Sequence, residues 1–341
     1  MQHSFSIIIV TWNGLRHLKR FLPSVLKTDY PDFEIIIADN ASSDGTAEWI
    51  KEQAPGCKVV TFDANYGYCG GNNRAAAYAT GEILLFLNND VRVDPNWLSP
   101  INGTFSDKDV AAVQPKLRSH RQPDLFEYAG AAGGYIDWLG YPFCKGRLFD
   151  SVEQDTGQYD TPSPILWASG AALAVRKDLF ITLGGFDENF EFHMEEIDLC
   201  WRIWKSGAGV FSQPESVVYH LGGGSMPMDS PRKVYYNFRN SLMMLTKNLD
   251  RFVFPKLFLR LLLDGVAGVR ALVQLKPLET LSIIKAHFGF YRKLPAVLNQ
   301  RRSFRKTQAG GAPVYQKLII WQYYMNGVKR YSDLPDVHKK P

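Results

Sequence analysis

The chain has 341 residues, which is enough for one large domain with an appendage or for two domains. Apolar residues make up 45% of it and aromatic residues 13%, a composition that supports a packed core and excludes global disorder. The four cysteines form no CxxC pair, which argues against a zinc site or a disulfide framework and indicates a reducing compartment. The N-terminus does not have the pattern of a signal peptide, so a cytoplasmic location is expected.

The net charge of +5 is unevenly distributed. From Lys247 onward there are 18 Lys and Arg against 5 Asp and Glu, whereas the preceding part has 21 against 29. An acidic front and a basic tail predict two roles, one of them facing an anionic surface or ligand. We expect that surface to be a membrane rather than a nucleic acid.

Short β-branched runs alternate with helical patterns in the first 90 residues. We predict strands at 6–10, 34–38, 59–62 and 82–87, a helix between the first two, and a helix end at 75–81. Nearly continuous apolar strands separated by helices indicate a parallel sheet that is buried on both faces. Ligands bind such sheets at the carboxyl ends of the strands. The sequence therefore predicts an α/β fold with its site at that edge.

Three of those strand ends are polar. TWNG follows the first strand, DNASSDGT the second and NND the fourth. Asp39 at the second end is placed to accept a hydrogen bond from a nucleobase or a ribose, and Asp90 at the fourth is placed to bind a divalent cation together with phosphates. Both stretches also have the composition of ordinary turns.

Two further features are open to a structural or a functional interpretation. The glycines of NYGYCGGNNRA (65–75) are typical of a loop, and they also let backbone approach a ligand closely. His220 ends an apolar run, where a lone histidine is most often structural. Next to Asp90 it would instead complete a divalent-metal site.

The segment EFHMEEIDLCWRIW (191–204) has four acids among residues typical of a core. At about 100° per residue, Glu195, Asp198 and Arg202 share one face of a helix, and Asp198 with Arg202 forms an i,i+4 ion pair. Glu196 points to the apolar side, where a carboxylate is costly to bury without partners. It is either a cap or core-edge salt bridge, or a functional carboxylate.

From about residue 230 the pattern becomes helical and basic. Within 255–275, Lys256, Arg260, Asp264, Arg270 and Gln274 form a polar stripe of about 120°, opposite a wide apolar face. Such a helix is expected to lie in a membrane interface rather than to span it. Basic clusters at 292–293, 301–302 and 305–306 suit anionic headgroups. The alternative is a helix that packs on the catalytic domain or in a dimer interface.

Six motifs taken together resemble the family-2 glycosyltransferases, in particular the rhamnosyltransferase-like branch. They are TWNG, DNASSDGT, NYGYCGGNN, LNND, GGFDENFEFHMEEIDLCWR and VYHLGGGS, which occur in the family's order within residues 5–225. The resemblance implies a GT-A nucleotide-sugar fold with a mostly parallel central sheet at 1–228, followed by a C-terminal helical extension at 229–341. It also implies an inverting transfer from a nucleotide sugar.

The resemblance assigns roles to individual residues. The nucleotide sugar would be bound by Thr11, Trp12, Asn13, Asp39, Asn65, Gly67, Asn73 and Asn89, with Trp12 and Asp39 at the nucleobase. Trp167, Gly170 and Glu195 would line the donor or acceptor pocket. Asp90 and His220 would bind Mg²⁺ or Mn²⁺, with Asn88 standing where the family has its first metal-motif acid. Glu196 takes the position of the family's general base, which is an Asp there.

These features favour a membrane-associated glycosyltransferase that acts at the inner face of the cell membrane. Its acceptor would be a glycan or a lipid-linked sugar used in cell-surface polysaccharide synthesis. Two alternatives are a sugar-nucleotide nucleotidyltransferase and a non-catalytic nucleotide-sugar-binding protein. The first would have a Gly-rich, basic phosphate loop after strand one, whereas TWNGLRHL is not Gly-rich.

Overall fold

The structure is a computed structural model that describes residues 2–222, 230–304 and 309–337. Its centre is a large mixed sheet. In spatial order the strands are β11 (Ser163–Pro164), β13 (Gly209–His220), β6 (Val110–Ser119), β12 (Ala172–Arg176), β4 (Ile83–Leu87), β1 (Phe5–Thr11), β2 (Phe33–Asp39) and β3 (Lys58–Thr61), and β5 (Val91–Val93) pairs with β13. β4, β1, β2 and β3 run parallel, as do β6 and β13, while β12 lies antiparallel between β4 and β6.

Alternation along β1 determines which helix covers each face of the sheet. Ile7 and Ile9 belong to one buried cluster and Ile8 to another, because successive side chains of a strand point to opposite faces. The helices of the first 210 residues are α1 (Leu15–Val25), α2 (Thr46–Gln53), α3 (Gly67–Ala76), α4 (Leu98–Thr104), α5 (Lys177–Thr182) and α6 (Glu195–Lys205). α1 packs with Ile7 and Ile9, whereas α3 and α6 pack with Ile8. The predicted α/β fold is confirmed.

α3 begins within the glycine-rich stretch 65–75, for which the sequence left a loop as one of two interpretations. Gly71 explains the difference, because a side chain there would collide with Val10 of β1 and with Asn40. The glycines therefore allow a helix to lie against the sheet, where the composition had indicated an irregular segment.

The Gly- and Pro-rich stretch after β6 forms a small antiparallel sheet beside the large one. Its strands are β7 (Gly134–Ile136), β8 (Pro142–Cys144), β9 (Arg147–Leu148) and β10 (Ser151–Val152).

The C-terminal part is helical, with α7 (Pro231–Asn248), α8 (Val253–Val273), α9 (Pro277–Phe304), α10 (Ile319–Tyr324) and a short 3-10 helix (Tyr331–Asp333). α7 begins at Ser230, whose hydroxyl accepts from the amide of Lys233. The middle of α7, Leu242–Leu245, belongs to the same buried cluster as Ile8 of β1. The predicted boundary between residues 228 and 229 lies outside the described residues.

Part of the polar stripe of α8 faces the body of the protein. Arg260 and Asp264 of the polar stripe are buried against the body of the protein and form an ion pair of 2.9 Å. Arg260 also donates to the carbonyl of Leu139 at 3.1 Å, and His287 of α9 lies 3.3 Å from Asp264. Because these polar groups find partners inward, the apolar side of the helix is left exposed.

The outward side of α8 and α9 is therefore apolar. Its exposed side chains are Phe254, Phe258, Leu259, Leu262, Val266, Val269, Leu272 and Val273 on α8, and Leu278, Leu281, Ile284, Phe288 and Tyr291 on α9. We call these residues the apolar hairpin face. Among the described residues, none of the helices combines the length and apolar character needed to cross a bilayer.

Candidate active site

Three predicted site residues meet at the carboxyl edge of the parallel strands. The register of β1 and β2 places Thr11 opposite Asp39, and the side-chain amide of Asn89 donates to the hydroxyl of Thr11 at 2.9 Å. Gly14 makes this approach possible, since a side chain there would collide with both Thr11 and Asn89. The polar strand ends therefore form one continuous surface, as the sequence predicts.

Asp39 and Trp12 have the properties of a nucleoside-binding pair. The carboxylate of Asp39 is buried, and its Oδ2 accepts from the amide of Ser42 at 3.3 Å. Its Oδ1 is buried without a hydrogen-bond partner in the described part of the chain. A buried acceptor without a partner is costly, so it fits a ligand N–H or O–H. The side chain of Trp12 is 56% exposed next to this strand end and offers a flat surface to a ring.

Asn13, Asn65 and Gly67 shape the loops around this surface. The side-chain oxygen of Asn13 accepts from the amide of Ser43 at 2.8 Å and so joins the loops that follow β1 and β2. Asn65 accepts from the amide of Gly67 at 2.9 Å, and Gly67 has a left-handed φ of 67°. Their side-chain oxygens are thus used within the protein.

Asn73 and Trp167 make structural contacts with backbone. The amide group of Asn73 donates to the carbonyl of Phe186 at 2.8 Å and accepts from its N–H at 2.9 Å, which ties α3 to that loop. Trp167 is buried, and its indole N–H donates to the carbonyl of Tyr135 at 2.9 Å. The binding roles assigned to these two residues stay predictions.

Asp90 and His220 lie together at the end of the sheet. The antiparallel pairing of β5 with β13 places His220 opposite Val91, with its Nε2 3.1 Å from Asp90 Oδ1. Its Nδ1 is 3.3 Å from Glu127. Burial favours the neutral imidazole, but the charges and hydrogen bonds of Glu127 and Asp90 outweigh it and raise the pKa of His220 to about 10. Sequence reasoning did not identify Glu127.

Asp90 and His220 fit a divalent cation that is shared with a diphosphate. Within the described ranges, His, Cys, Asp and Glu side chains form no group of three or more that could hold a metal ion. Mg²⁺ and similar ions typically take one or two protein ligands and complete their shell with water and substrate phosphates. One carboxylate and one imidazole at a strand end match that pattern.

α6 begins after a backbone segment of unusual conformation, which we call the 189–194 loop. Glu191, His193 and Met194 have φ values of 66°, 67° and 74°, all in the left-handed region. Non-glycine residues rarely adopt that region, and each does so at a cost of about 1–2 kcal/mol. The segment therefore needs support from outside itself.

That support comes from α7. The side-chain nitrogen of Asn240 lies 2.8, 2.7 and 2.9 Å from the carbonyl oxygens of Phe190, Phe192 and His193, which share its two N–H donors. Arg239 adds a bond of 2.9 Å to the carbonyl of Phe190.

The carboxylate of Glu191 anchors the same loop. It accepts from the hydroxyl of Tyr236 at 2.8 Å and from Arg239 at 3.1 Å on α7, and it lies 3.3 Å from Lys293 of α9. Sequence reasoning missed Arg239 and Asn240. The available signal was a polar pair shortly before the apolar run Leu242–Leu245 of α7.

The first turn of α6 carries Glu196, which is half-buried with one carboxylate oxygen that has no partner in the described part of the chain. Burial raises its pKa, whereas the backbone amides of residues 194–197 lower it. Burial dominates, and the pKa of Glu196 is about 7. The sequence left this balance open. A carboxyl group with that pKa can exchange a proton near neutral pH.

Glu195 is buried, and one of its oxygens has no partner among the described residues. Burial, reinforced by the charge of Glu196, raises the pKa of Glu195 well above its usual range and so favours its uncharged form. Burial together with the charge of Glu195 also raises the pKa of Tyr68, whose hydroxyl donates to the carbonyl of Gly170 at 2.8 Å.

The predicted ion pair between Asp198 and Arg202 is confirmed at 2.9 Å. Asp198 also accepts from Lys247 at 2.9 Å and from Asn248 at 2.7 Å. All four side chains are buried, so the carboxylate is compensated by two cations and an amide. This network joins the middle of α6 to the end of α7.

Known proteins resemble this chain in sequence and in fold. Residues 6–162 match the profile of Glycosyl transferase family 2. An N-acetylglucosaminyl-diphospho-decaprenol L-rhamnosyltransferase of Mycobacterium tuberculosis is 30% identical over 236 residues, which cover 63% of this chain and 75% of that protein. The chain belongs to glycosyltransferase family 2. The O-antigen biosynthesis protein RfbC of Myxococcus xanthus is 31% identical over 65% of this chain, but the match spans only 18% of that longer protein.

The GT-A fold of the family is also shown by solved structures. The mannosyltransferase PcManGT of Pyrobaculum calidifontis, solved with GDP-Man and Mn²⁺, superposes with a TM-score of 0.52 at 17% identity over 90% of this chain and 86% of that one. The resemblance read from the six motifs is thus confirmed for family and fold. Membership of a glycosyltransferase family argues against the nucleotidyltransferase alternative.

The support of the 189–194 loop by α7 can be tested by hydrogen exchange. Asn240→Ala removes both N–H donors that the three loop carbonyls share, and a hydrogen bond is worth about 1 kcal/mol. We expect the amides of Phe190, Phe192 and Asp198, which bond within or next to this loop, to exchange roughly ten- to hundredfold faster. The matched control is Ser241→Ala, because the Ser241 hydroxyl bonds only to Asn237 of its own helix. Equal exchange in the two variants would contradict the role given to Asn240.

Proposed function

We propose that this family-2 glycosyltransferase inverts the anomeric centre as it transfers a sugar from a nucleotide-diphosphate sugar to a hydroxyl group. The acceptor is a glycan or a lipid-linked sugar in the synthesis of a cell-surface polysaccharide. The relatives named above, an O-antigen biosynthesis protein and a diphospho-decaprenol rhamnosyltransferase, support that process. The reaction takes place at the inner, cytoplasmic face of the cell membrane.

The observation that carries the proposal is the state of Glu196. Its carboxyl group is half-buried, has an oxygen without a partner in the described chain, and has a pKa of about 7. Asp198, two residues along, is fully committed to a charge network, and burial raises the pKa of Glu195 well above its usual range. Of these three acids, Glu196 alone has both a free acceptor atom and a pKa suited to a general base.

The transfer is a single displacement. The acceptor oxygen forms a bond to the anomeric carbon while the bond from that carbon to the diphosphate oxygen breaks. The hydroxyl proton passes to Glu196, and the electron pair of the broken bond leaves with the nucleoside diphosphate. Attack opposite the leaving group inverts the anomeric configuration. In this arrangement Asp39 and Trp12 hold the nucleoside, which positions the diphosphate near Asp90.

Asp90 and His220 would hold the divalent cation, Mg²⁺ or Mn²⁺, which when bound stabilises the charge that develops on the departing diphosphate. PcManGT was solved with Mn²⁺, which is consistent with such a site. Binding of a cation to His220 requires the imidazolium to lose a proton, so a divalent cation would replace that proton beside Asp90.

Activity should follow the ionisation of Glu196. A base must be deprotonated, so we expect kcat to rise with pH through a midpoint of about 7. Glu196→Gln should lower kcat by roughly 10²- to 10⁴-fold, remove that rising limb, and leave the KM for the donor nearly unchanged.

Glu195→Gln is the matched control, because burial raises the pKa of Glu195 and so favours the uncharged carboxyl that glutamine resembles. Its effect on kcat should be small, and its pH profile should keep the rising limb. If Glu195→Gln abolished activity and Glu196→Gln remained active, the base would be Glu195 and the assignment to Glu196 would be wrong.

The apolar hairpin face supports a membrane location. It exposes aromatic and aliphatic side chains on two adjacent helices, and burial of such surface stabilises a bound state by about 25 cal/mol per Å². Exposed Arg251, Arg270, Lys276, Lys285 and Arg292 lie on the same two helices or next to them. Each basic residue near an anionic surface adds on the order of 1 kcal/mol. Arg301 takes no part, because it is buried and donates to the carbonyl of Thr246.

Membrane binding can be tested by flotation with anionic vesicles. We expect the protein to float at low salt and to remain partly bound at high salt, since the apolar contribution is not screened. Leu262→Glu with Val266→Glu places two acids on the apolar hairpin face, at positions 53% and 64% exposed, and should release the protein.

The control is Gln53→Glu with Ser99→Glu, which makes the same charge change at exposed sites of the catalytic part. Release of both variants would indicate a charge effect alone. Failure of the native protein to float would refute the membrane location.

A further inference from the structure

A basic pocket lies next to the site, and none of the roles assigned above involves its residues. It is a cavity of about 590 Å³, and its charged or titratable lining consists of Arg16, His17, Arg20, His120 and Arg121. No acidic side chain contributes to this lining. We call these five residues the basic pocket.

Two elements build the basic pocket. Arg16 and Arg20 are one helical turn apart on α1, so their side chains lie on the same side of that helix. His120 and Arg121 follow β6 directly, and the amide of His120 donates to the carbonyl of His220 at 2.9 Å. The pocket is thus joined to the predicted metal ligand by a backbone hydrogen bond.

The positive charge of the pocket resides mainly on its arginines. Arg20 Nη2 lies 2.7 Å from His120 Nε2. Burial, together with the charges of Arg20 and Arg92, lowers the pKa of His120, so its ring is neutral at neutral pH. Within the described ranges, Arg16, Arg20 and Arg121 form no ion pair with an acid. Guanidinium groups bind phosphate oxygens in a bidentate manner, and three of them around one cavity favour a diphosphate.

The order of the strand ends indicates which diphosphate this is. Along the carboxyl edge, the ends of β2 and β1 carry Asp39 and Thr11, the end of β4 is followed by Asp90, and the ends of β6 and β13 lie beyond. A donor with its nucleoside at Asp39 and its diphosphate at Asp90 does not extend its phosphates further along this edge. The basic pocket adjoins Asp90, since Leu221 in its lining donates its N–H to the Asp90 carbonyl at 3.1 Å. Its residues His120 and Leu221 follow β6 and β13, the strands that lie beyond β4 in the sheet.

We propose that the basic pocket binds the diphosphate group of a diphosphate-linked lipid acceptor. This inference rests on the proposed function, and it specifies the acceptor class. A lipid diphosphate carries two or more negative charges that three guanidinium groups neutralise. The apolar hairpin face provides the matching contact with the lipid phase in which such an acceptor resides.

The test measures binding to the full-length protein by calorimetry, in EDTA, with farnesyl diphosphate below its micelle concentration. The variant is Arg16→Gln with Arg20→Gln and Arg121→Gln. The charge-matched control is Lys27→Gln with Lys51→Gln and Lys108→Gln, all exposed positions outside the pocket. We expect the Kd to rise at least tenfold in the variant and to stay within twofold in the control. Farnesol, which has no diphosphate, should bind the variant and the native protein equally.

A second arm distinguishes the lipid diphosphate from that of the donor. UDP, dTDP and GDP are tested with Mg²⁺ for stabilisation of the melting temperature. Any that stabilises the native protein should stabilise the variant equally. If the variant instead loses nucleotide binding and keeps farnesyl diphosphate, the pocket serves the donor and the proposal is overturned. It is also overturned if the native protein does not bind farnesyl diphosphate, or if the variant binds it with unchanged affinity.

Arg121→Gln alone guards against misfolding of the triple variant, because this exposed side chain follows the end of β6. It should weaken farnesyl diphosphate binding about threefold, and an unchanged Kd in this folded single variant would count against the pocket. The binding assay does not depend on turnover. A protein that binds farnesyl diphosphate through the pocket but transfers no sugar would therefore refute the proposed function and leave this inference standing.

Discussion

The active-site arrangement depends on the contact between Asn240 and the backbone of the 189–194 loop. Three residues of that loop have left-handed φ angles, at a cost of about 1–2 kcal/mol each. The two N–H donors of Asn240, shared among three loop carbonyls, offset part of this at about 1 kcal/mol per hydrogen bond. The turn lets α6 start at Glu195 with its first carboxylates directed into the interior. Without α7, the loop would lose these bonds together with those of Arg239 and Tyr236, and it would keep the contacts of Lys293 from α9.

The same two helices are joined a second time through charge. Asp198 of α6 binds Lys247 and Asn248 of α7, and its own partner Arg202 donates to carbonyls of Leu183 and Gly185. α6 is therefore fixed at both its first turn and its middle. Such rigidity matters for a general base, because a carboxylate that moves by about 1 Å loses its alignment with the reacting hydroxyl. The C-terminal helices therefore position the acid that we propose as the general base.

Local patterns predicted much of this arrangement. The apolar runs of β1 and β2 and their polar ends gave the sheet and its edge, and the i,i+4 spacing gave the ion pair of Asp198 and Arg202. What the sequence did not reveal depends on distant contacts. The partners of Asn240 lie about 50 residues away, and no local spacing connects them. The pKa of Glu196 depends on burial by residues from several elements.

The orientation of α8 shows the same limit. Its polar stripe was visible in the sequence, but the side on which that stripe lies depends on partners elsewhere. Leu139 comes from the small sheet and His287 from α9, and together they draw Arg260 and Asp264 inward. Trp167 is similar, since a tryptophan in a Gly-rich stretch is equally consistent with a sugar-binding surface and with core. In the structure Trp167 is buried, and the Tyr135 carbonyl of β7 accepts its indole N–H.

The proposed role of Glu196 requires that burial in the folded protein raise its pKa to about 7. The most direct measurement is a pH titration of the ¹³C carboxyl signals of glutamate-labelled protein, with Glu196→Gln to assign the resonance. We expect one carboxyl signal that titrates at about pH 7 in the native protein and is absent from Glu196→Gln. If the signal lost in Glu196→Gln titrates below about pH 5, the range of an ordinary solvated glutamate, the account is contradicted.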